Sequence, residues 1–396
     1  MRILQIHNRY LYAGGEDEVV LSEKRMLERF GHEVFLYERH NKELSQSSGL
    51  KRLGALGRVF NPLKPSDDQL EKCLRHFKPD IAHVHNVFYV ISPAIFATLK
   101  RHGIPVVHTL HNYRYLCPAA TFYRDGQVCE DCLKTSRWQA VLHRCWKNSM
   151  LHSWLLKNEI DACHRGGYLH KNVNAFIALS QFSRGKFISG GFDPKQVVVK
   201  GNFLDTDPGY QWPKKPYVVY AGALKDYKGV DVLIKAWQKM PSALGLKIMG
   251  DGPLMETLKA LNRHPGVEFM GRVSMEEVLA QIRQASALVL PSLCYENFPR
   301  VIVEAYACGT PVVAGAIGAI KELVNDGKTG FLFTPGHADD LARVVSDLLN
   351  NPGLLEQMSQ EARKTYVSSY TMDTNYDELM AIYKQVMGPK AAQGAK

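Results

Sequence analysis

Apolar and polar positions change period along the chain in a regular way. Residues 1–8 carry a near-continuous apolar run that predicts a buried strand. A glycine turn follows, Ala13-Gly14-Gly15-Glu16. Residues 17–30 then place Val20, Leu21, Met26, Leu27 and Phe30 on a helical repeat. Gly31-His32 stops it, and 33–37 reads as the next strand. This β-turn-α-β opening predicts a doubly wound domain. A strand at 81–85, a helix at 92–102 and a strand at 105–110 continue it. Residues 202–216 break the pattern with Asp205, Asp207, Pro208, Gly209, Pro213 and Pro216, which predicts a linker. A second alternation follows, with strands at 217–221, 245–249, 267–270, 286–290 and 311–314. Helices are predicted at 229–240, 253–262, 274–284, 299–307 and 318–325. The expected class is therefore α/β. A domain at 1–203 is joined by a linker at 204–216 to a second at 217–375. Residues 376–396 supply a helix that returns to the first domain, and a tail.

Composition narrows the class without changing it. A hydrophobic share of 45% and a charged share of 22% are those of a globular chain, and 396 residues suit two domains. The longest apolar runs, such as 285–290, fall far short of the ~20 residues that span a bilayer. The opening Met1-Arg2-Ile3-Leu4-Gln5-Ile6 lacks the apolar core of a secretory signal, so a cytoplasmic location is expected. Charge is uneven. Residues 1–200 hold 29 Lys and Arg against 18 Asp and Glu, a net +11, and thirteen of the fifteen His. The second half holds 20 against 21. The basic half points to an anionic partner, with a merely solvated surface as the bland alternative. Nucleic acid is the weakest choice, since RNP-type patterns, finger repeats and heptad arrays are missing from the sequence.

The candidate chemistry sits at strand ends. Glu296-Asn-Phe-Pro-Arg-Val-Ile-Val-Glu304 predicts a helix capped by Asn297, with Pro299 in its first turn and Gly309 past its end. Open first-turn amides suit a phosphate. Carboxylates on either side suit sugar hydroxyls; the bland reading is a capped surface helix. Gly222-Ala-Leu-Lys-Asp-Tyr-Lys228-Gly229, Gly250-Asp-Gly-Pro253 and Gly271-Arg-Val273 follow three other strands of the same domain. Four motifs at carboxyl ends of parallel strands converge on one crevice.

Together these motifs resemble the family 4 glycosyltransferases, retaining enzymes of the GT-B fold, in which two Rossmann-like domains face each other across a cleft. The similar stretch runs over 220–341 and includes Gly309-Thr-Pro-Val-Val and Asn325-Asp-Gly-Lys-Thr-Gly-Phe-Leu. In the first domain it includes Gly14-Gly15-Glu16, His83-Val-His85, Thr109-Leu-His111 and Ile177-Ala-Leu-Ser180. The resemblance implies a nucleotide-sugar donor and a sugar or lipid-linked sugar acceptor, in bacterial surface-polysaccharide or glycolipid assembly. It implies that Glu296 contacts the donor sugar, Glu304 the ribose, and Lys228 the diphosphate, with Asn297, Phe298 and Arg300 beside them. Gly271 and Val273 would line the base pocket, Gly14 and Gly15 would approach the distal phosphate, and His111 would flank the reacting sugar. No catalytic metal is implied. Two departures stand out. Ala223 occupies the place of an expected phosphate-binding Arg, leaving Lys225 or Lys200 to supply that charge, and Pro299 replaces a Gly. An inert or weak nucleotide-sugar-binding subunit and a GT-B epimerase are the alternative functions.

Two features lie outside the resemblance. Cys117, Cys129, Cys132 and Cys145 follow C-x11-C-x2-C-x12-C, compatible with a structural Zn2+ site, with buried thiols or an oxidised pair as alternatives. Residues 134–160 carry Lys134, Arg137, Trp138, Arg144, Trp146, Lys147 and Trp154, read as one helix with a broad basic-aromatic face. This face suits either an anionic membrane surface, at the inner side of the cytoplasmic membrane, or packing on its own domain. Of the remaining histidines, His85 is a second candidate at its strand end, and His7 and His108 are expected to be structural.

Overall fold

The computed structural model describes residues 1–10, 14–43, 63 and 68–388. Its strands are β1 (Arg2–Arg9), β2 (Glu33–His40), β3 (Ile81–Asn86), β4 (Val106–Leu110), β5 (Tyr123–Arg124), β6 (Gln127–Val128), β7 (Ala175–Ala178), β8 (Val197–Val199), β9 (Lys215–Ala221), β10 (Gly245–Met249), β11 (Val267–Gly271), β12 (Ala285–Leu290), β13 (Val312–Gly315) and β14 (Gly330–Phe333). They fall into two compact units. Unit 1 comprises 1–121, 130–201 and 375–396; unit 2 comprises 122–129 and 202–374.

Unit 1 is built on a six-stranded sheet of order β2-β1-β3-β4-β7-β8, every pairing parallel. The inner strands β1, β3, β4 and β7 are buried on both faces, which is why they read as apolar runs rather than as alternation; the edge strands β2 and β8 are partly exposed. Helix Gly15–Arg29 lays Val19, Val20, Met26 and Leu27 on the sheet. The C-terminal helix Met372–Met387 contributes Tyr376, stacked on Phe30 at 3.8 Å, and the buried Tyr383, bonded to His83. Residues 134–160 depart from the expected single helix. They form Trp138–Leu142 and the start of Met150–His164, separated by turns in which Arg144, Lys147 and Asn148 take positive φ. Trp146 lies in the break, with the Arg114 guanidinium 4.3 Å from its ring centre. Three aromatic positions are thereby set by turns and not by helical phase.

Unit 2 has the order β11-β10-β9-β12-β13-β14, again all parallel. Counted from its own first strand this is 3-2-1-4-5-6, the dinucleotide-fold order, with the reversal between β9 and β12. Trp237, Tyr220, Leu233 and Ile248 fill its core. The segment expected as a linker is anchored to this unit. Arg363 holds both Asp207 oxygens at 2.6–2.7 Å, and Lys214 donates to Arg283 O, Cys308 O and Thr310 Oγ1. Residues 122–129 also belong to unit 2, as the antiparallel pair β5–β6.

Unit 1 buries several uncharged imidazoles. His108 donates from Nδ1 to Val84 O at 2.8 Å and meets the Tyr115 hydroxyl at Nε2, and burial pushes it down to about 4. Burial likewise lowers His164 to about 4 and His85 to about 3. These groups must take up protons on unfolding. Their contribution is therefore complete above the unfolded value near 6.5 and is lost as pH falls toward 3–4. Urea unfolding at pH 5.5 should show unit 1 less stable than at pH 7.5, by roughly 1 kcal/mol for each such imidazole. His108→Gln should remove one imidazole's share of that difference; an unchanged pH dependence would contradict the assignment.

Candidate functional site

In unit 2 the reversal of strand order places two loops side by side. The loop after β9 carries Gly222–Gly229, and the loop after β12 carries 291–299. Leu293 N–H donates to Tyr227 O at 2.8 Å, tying one to the other. Gly229 has φ +65, and a Cβ there would lie 2.1 Å from Pro291 O. Only a residue without a side chain lets the loops approach this closely. Gly250 does the same for the next loop, where a Cβ would stand 1.9 Å from Gly222 O.

That approach brings Lys228 Nζ to 2.6 Å from Glu296 Oε1. Ser292 Oγ donates to the same oxygen at 2.7 Å. Burial alone would lower the Lys228 ammonium, but the neighbouring Glu296 carboxylate outweighs it and raises it above the usual lysine range. The result is a fixed cation beside a fixed anion on the carboxyl edge of the sheet, an arrangement that can bind a diphosphate and hydroxyls together. Ser292 has no counterpart in the sequence reading. The signal available was its place two residues beyond a buried strand end.

The helix after this loop is Arg300–Ala307, one residue shorter than expected. Asn297 is not its cap. The cap position belongs to Pro299, at φ −69 and ψ 106, with no side-chain capping bond. Proline forces the preceding residues out of helical geometry, so the turn starts later than Asn297 would set it. Glu304 lies on this helix, 5% exposed, with Arg300 Nε 3.6 Å away, and Phe298 is buried edge-on against Tyr370. Gly271 ends β11 at φ +68 with no atom of the described residues within 4 Å of its would-be Cβ, and Val273 is half-buried nearby in sequence. Ala223 brings no guanidinium of its own to the turn. Lys225 is exposed, with Nζ 5.7 Å from the Tyr227 ring centre. Lys200 is buried in unit 1, 3.9 Å from Glu23.

Unit 1 gathers its own group. Gly14 N–H donates to Asp17 Oδ2 at 2.7 Å, fixing the start of helix Gly15–Arg29, and Asp17 Oδ1 meets His7 Nε2 at 2.8 Å. A Cβ at Gly14 or Gly15 would meet nothing within 4 Å among the described residues. His111 follows β4 at a small recess lined by His85, Phe88, Asn112 and Tyr115. Its Nε2 is 2.9 Å from His85 Nδ1. Burial holds His111 well below the usual imidazole range, and the neighbouring His85 adds to it. Beneath them the buried Glu23 contacts His83 and His85. Ligand atoms of Glu23, His83 and His85 lie within 4.8 Å of one another. Glu23 was missed in the sequence. The signal was a carboxylate on the apolar stripe of its helix, between Val20 and Leu27. Of the four cysteines, Cys117 is buried and Cys129, Cys132 and Cys145 are half-buried; Cys129 belongs to unit 2 and the others to unit 1.

Comparison with known proteins defines the class. Residues 206–365 match the model for glycosyl transferases group 1, and 13–208 that for glycosyltransferase family 4. The alpha-D-kanosaminyltransferase of Streptomyces kanamyceticus is 30% identical over 296 residues, 72% of this chain and 71% of that protein. The chain belongs to the family 4 glycosyltransferases. An uncharacterized glycosyltransferase of Methanocaldococcus jannaschii is 29% identical over 213 residues, and the match spans 59% of it and 53% of this chain. The match to sulfoquinovosyl transferase SQD2 of Arabidopsis thaliana, 25% identical, spans 64% of that protein and 86% of this chain. Among solved structures, HepE of Anabaena in complex with UDP and glucose superposes with a TM-score of 0.66 at 19% identity, covering 96% of this chain and 98% of that one. Sucrose-phosphate synthase from Thermosynechococcus elongatus gives 0.70 at 18%, covering 97% and 98%. The fold is GT-B.

The close approach at Gly229 makes a direct prediction. Gly229→Ala should lower the thermal stability of unit 2 by more than about 1 kcal/mol, through both a left-handed φ and a clash with backbone. Gly271→Ala, with an equally positive φ but open space, should cost less. Equal losses in differential scanning calorimetry would show that the loop contact is not tight.

Proposed function

We propose that the chain transfers a sugar from a nucleotide-diphosphate donor to a hydroxyl acceptor with retention of anomeric configuration. The observation that carries this reading is the Lys228–Glu296 pair at the strand-order reversal of unit 2. Lys228 takes up the diphosphate charge as the sugar leaves, and helix Arg300–Ala307 directs its open first-turn amides at the same anion. Glu296, held by Ser292, accepts hydroxyls of the donor sugar. Glu304 accepts ribose hydroxyls, Asn297, Phe298 and Arg300 border the donor, and Gly271 and Val273 present backbone to the base. Gly14, Gly15 and His111 of unit 1 serve the distal phosphate and the sugar. The leaving phosphate takes the acceptor's proton on the face from which it departs, so no nucleophilic side chain is needed. UDP-hexoses and GDP-mannose are the donors to test, in surface-polysaccharide or glycolipid assembly. Ala223 favours a second reading, a weakly active nucleotide-sugar-binding subunit, because a bidentate phosphate contact is missing there. Release of UDP or GDP from the matching donor, slow alone and fast with acceptor, supports transfer; nucleotide binding without release supports the second reading.

A lipid-linked acceptor is favoured by the surface around Trp138. Trp138, Leu142 and Leu151 are 50%, 64% and 62% exposed, and Arg144 and Lys147 are exposed in the same stretch of chain, whereas Lys134 is paired with Glu130 at 3.2 Å. Exposed apolar groups in a stretch that also exposes cations suit the interface of an anionic bilayer. Arg137 is not part of this charge, being paired with Asp161 at 2.9 Å. Among the described residues no helix is long and apolar enough to cross a membrane.

Two predictions follow from the assigned roles. Glu296→Ala should cut turnover and leave bare-nucleotide affinity nearly intact, while Glu304→Ala should weaken the nucleotide itself by roughly 1–3 kcal/mol. Calorimetric titration that gave equal losses for both would overturn the assignment. Co-sedimentation with vesicles containing anionic lipid should be strong at low salt, weak at high salt, and reduced in the Arg144→Glu, Lys147→Glu double variant. Binding that ignores lipid charge would point to a soluble acceptor.

A further inference from the structure

The carboxylate of Glu23 lies in the core of unit 1, 2% exposed, on the face of its helix that meets the sheet. Its Oε1 receives the Gln5 side-chain amide at 3.1 Å and stands 2.8 Å from His83 Nδ1, the nitrogen that also meets the Tyr383 hydroxyl at 2.8 Å. His83 Nε2 meets the Thr109 hydroxyl at 2.7 Å. His85 Nε2 lies 3.3 Å from the same oxygen, off the line of a hydrogen bond but within the field of the carboxylate. A lone pair on that nitrogen would oppose a carboxylate in a dry site, so the proton sits on Nε2. His85 Nδ1 is then an acceptor. The group 2.9 Å from it is His111 Nε2, which must donate. His111 is left with an unprotonated Nδ1.

We propose that Glu23, acting through His85, is a positioning residue that fixes His111 as its Nε2–H tautomer, so that His111 meets the donor sugar with an acceptor nitrogen. The chain of contacts is set by one charge. Carboxylate oxygens only accept, and each imidazole passes the polarity on to the next. Burial opposes ionisation of Glu23, but the adjoining His83 and His85 outweigh it and hold the carboxyl well below the usual range. Burial also keeps His85 and His111 uncharged, so the relay works through neutral rings. A dication on Glu23, His83 and His85 fits less well. Oε1 already receives an amide proton from Gln5, and the Lys200 ammonium is 3.9 Å from Oε2.

This inference rests on the sugar-side role proposed for His111, and the test separates the two. Two-dimensional 15N–1H correlation of the imidazoles in the full chain reads each tautomer without any activity. Wild-type His111 should show a protonated Nε2 and an unprotonated Nδ1. Glu23→Gln can turn its amide toward His85 and reverse the relay, so His111 should shift toward the Nδ1–H form. His85→Gln, which keeps the Glu23–His83 contact, covers the case in which Glu23→Gln fails to fold, and should leave His111 a mixture. In both variants kcat should fall on the order of 10- to 100-fold, with donor KM within about threefold. An Nδ1–H tautomer in the wild type, or a tautomer unmoved by either substitution, would overturn the relay. Shifted tautomers with unchanged kcat would overturn its role in transfer. Predicted tautomers in a chain that turns over no nucleotide sugar would leave the relay standing and count against the function proposed above.

Discussion

In unit 2 an ammonium and a carboxylate 2.6 Å apart join the loop after β9 to the loop after β12. These strands are neighbours in the sheet yet far apart in sequence, because the strand order reverses between them. The reversal opens a crevice at the carboxyl edge, and parallel strands deliver every following loop to that edge. The pair exists only because Gly229 lets one loop rest on the backbone of the other. Its charges are partly withdrawn from water, and the Glu296 carboxylate keeps Lys228 charged there. A nucleotide sugar needs both kinds of group at once, a cation for its diphosphate and an acceptor for its hydroxyls.

Unit 1 solves a different problem. Its sheet ends carry imidazoles, not charges, and burial keeps them neutral. A neutral imidazole is useful only if it is known which nitrogen carries the proton. His108 settles this against a backbone carbonyl, and the His83–His85–His111 group settles it against one carboxylate. Among these groups the only full negative charge is therefore buried beneath the rings it organises.

Much of this was legible in the sequence, for identifiable reasons. Strands buried on both faces announce themselves as apolar runs, so β1, β3, β4, β12 and β13 were located within two residues, as were the less buried β9, β10 and β11. Glycine turns at their ends located Lys228 and Glu296, since loops after parallel strands share an edge. What failed depended on geometry that periodicity does not carry. Asn297 read as a cap because of its type, whereas Pro299 fixed where the helix starts. Residues 134–160 read as one helix because aromatic spacing does not reveal the positive-φ turns at Arg144, Lys147 and Asn148. The segment around Lys214 read as a linker because its hydrogen bonds go to distant carbonyls. Lys200 was a free cation on paper, and its partner Glu23 is 177 positions away in sequence.

Hydrogen–deuterium exchange of the full chain, with and without a saturating nucleotide sugar, tests the account most directly. Slower exchange should appear in 222–229, 271–273 and 296–304, the segments that follow β9, β11 and β12, with little change in β13 and β14. Protection confined to other parts of the chain, with these segments unaffected by a ligand shown to bind, would contradict it.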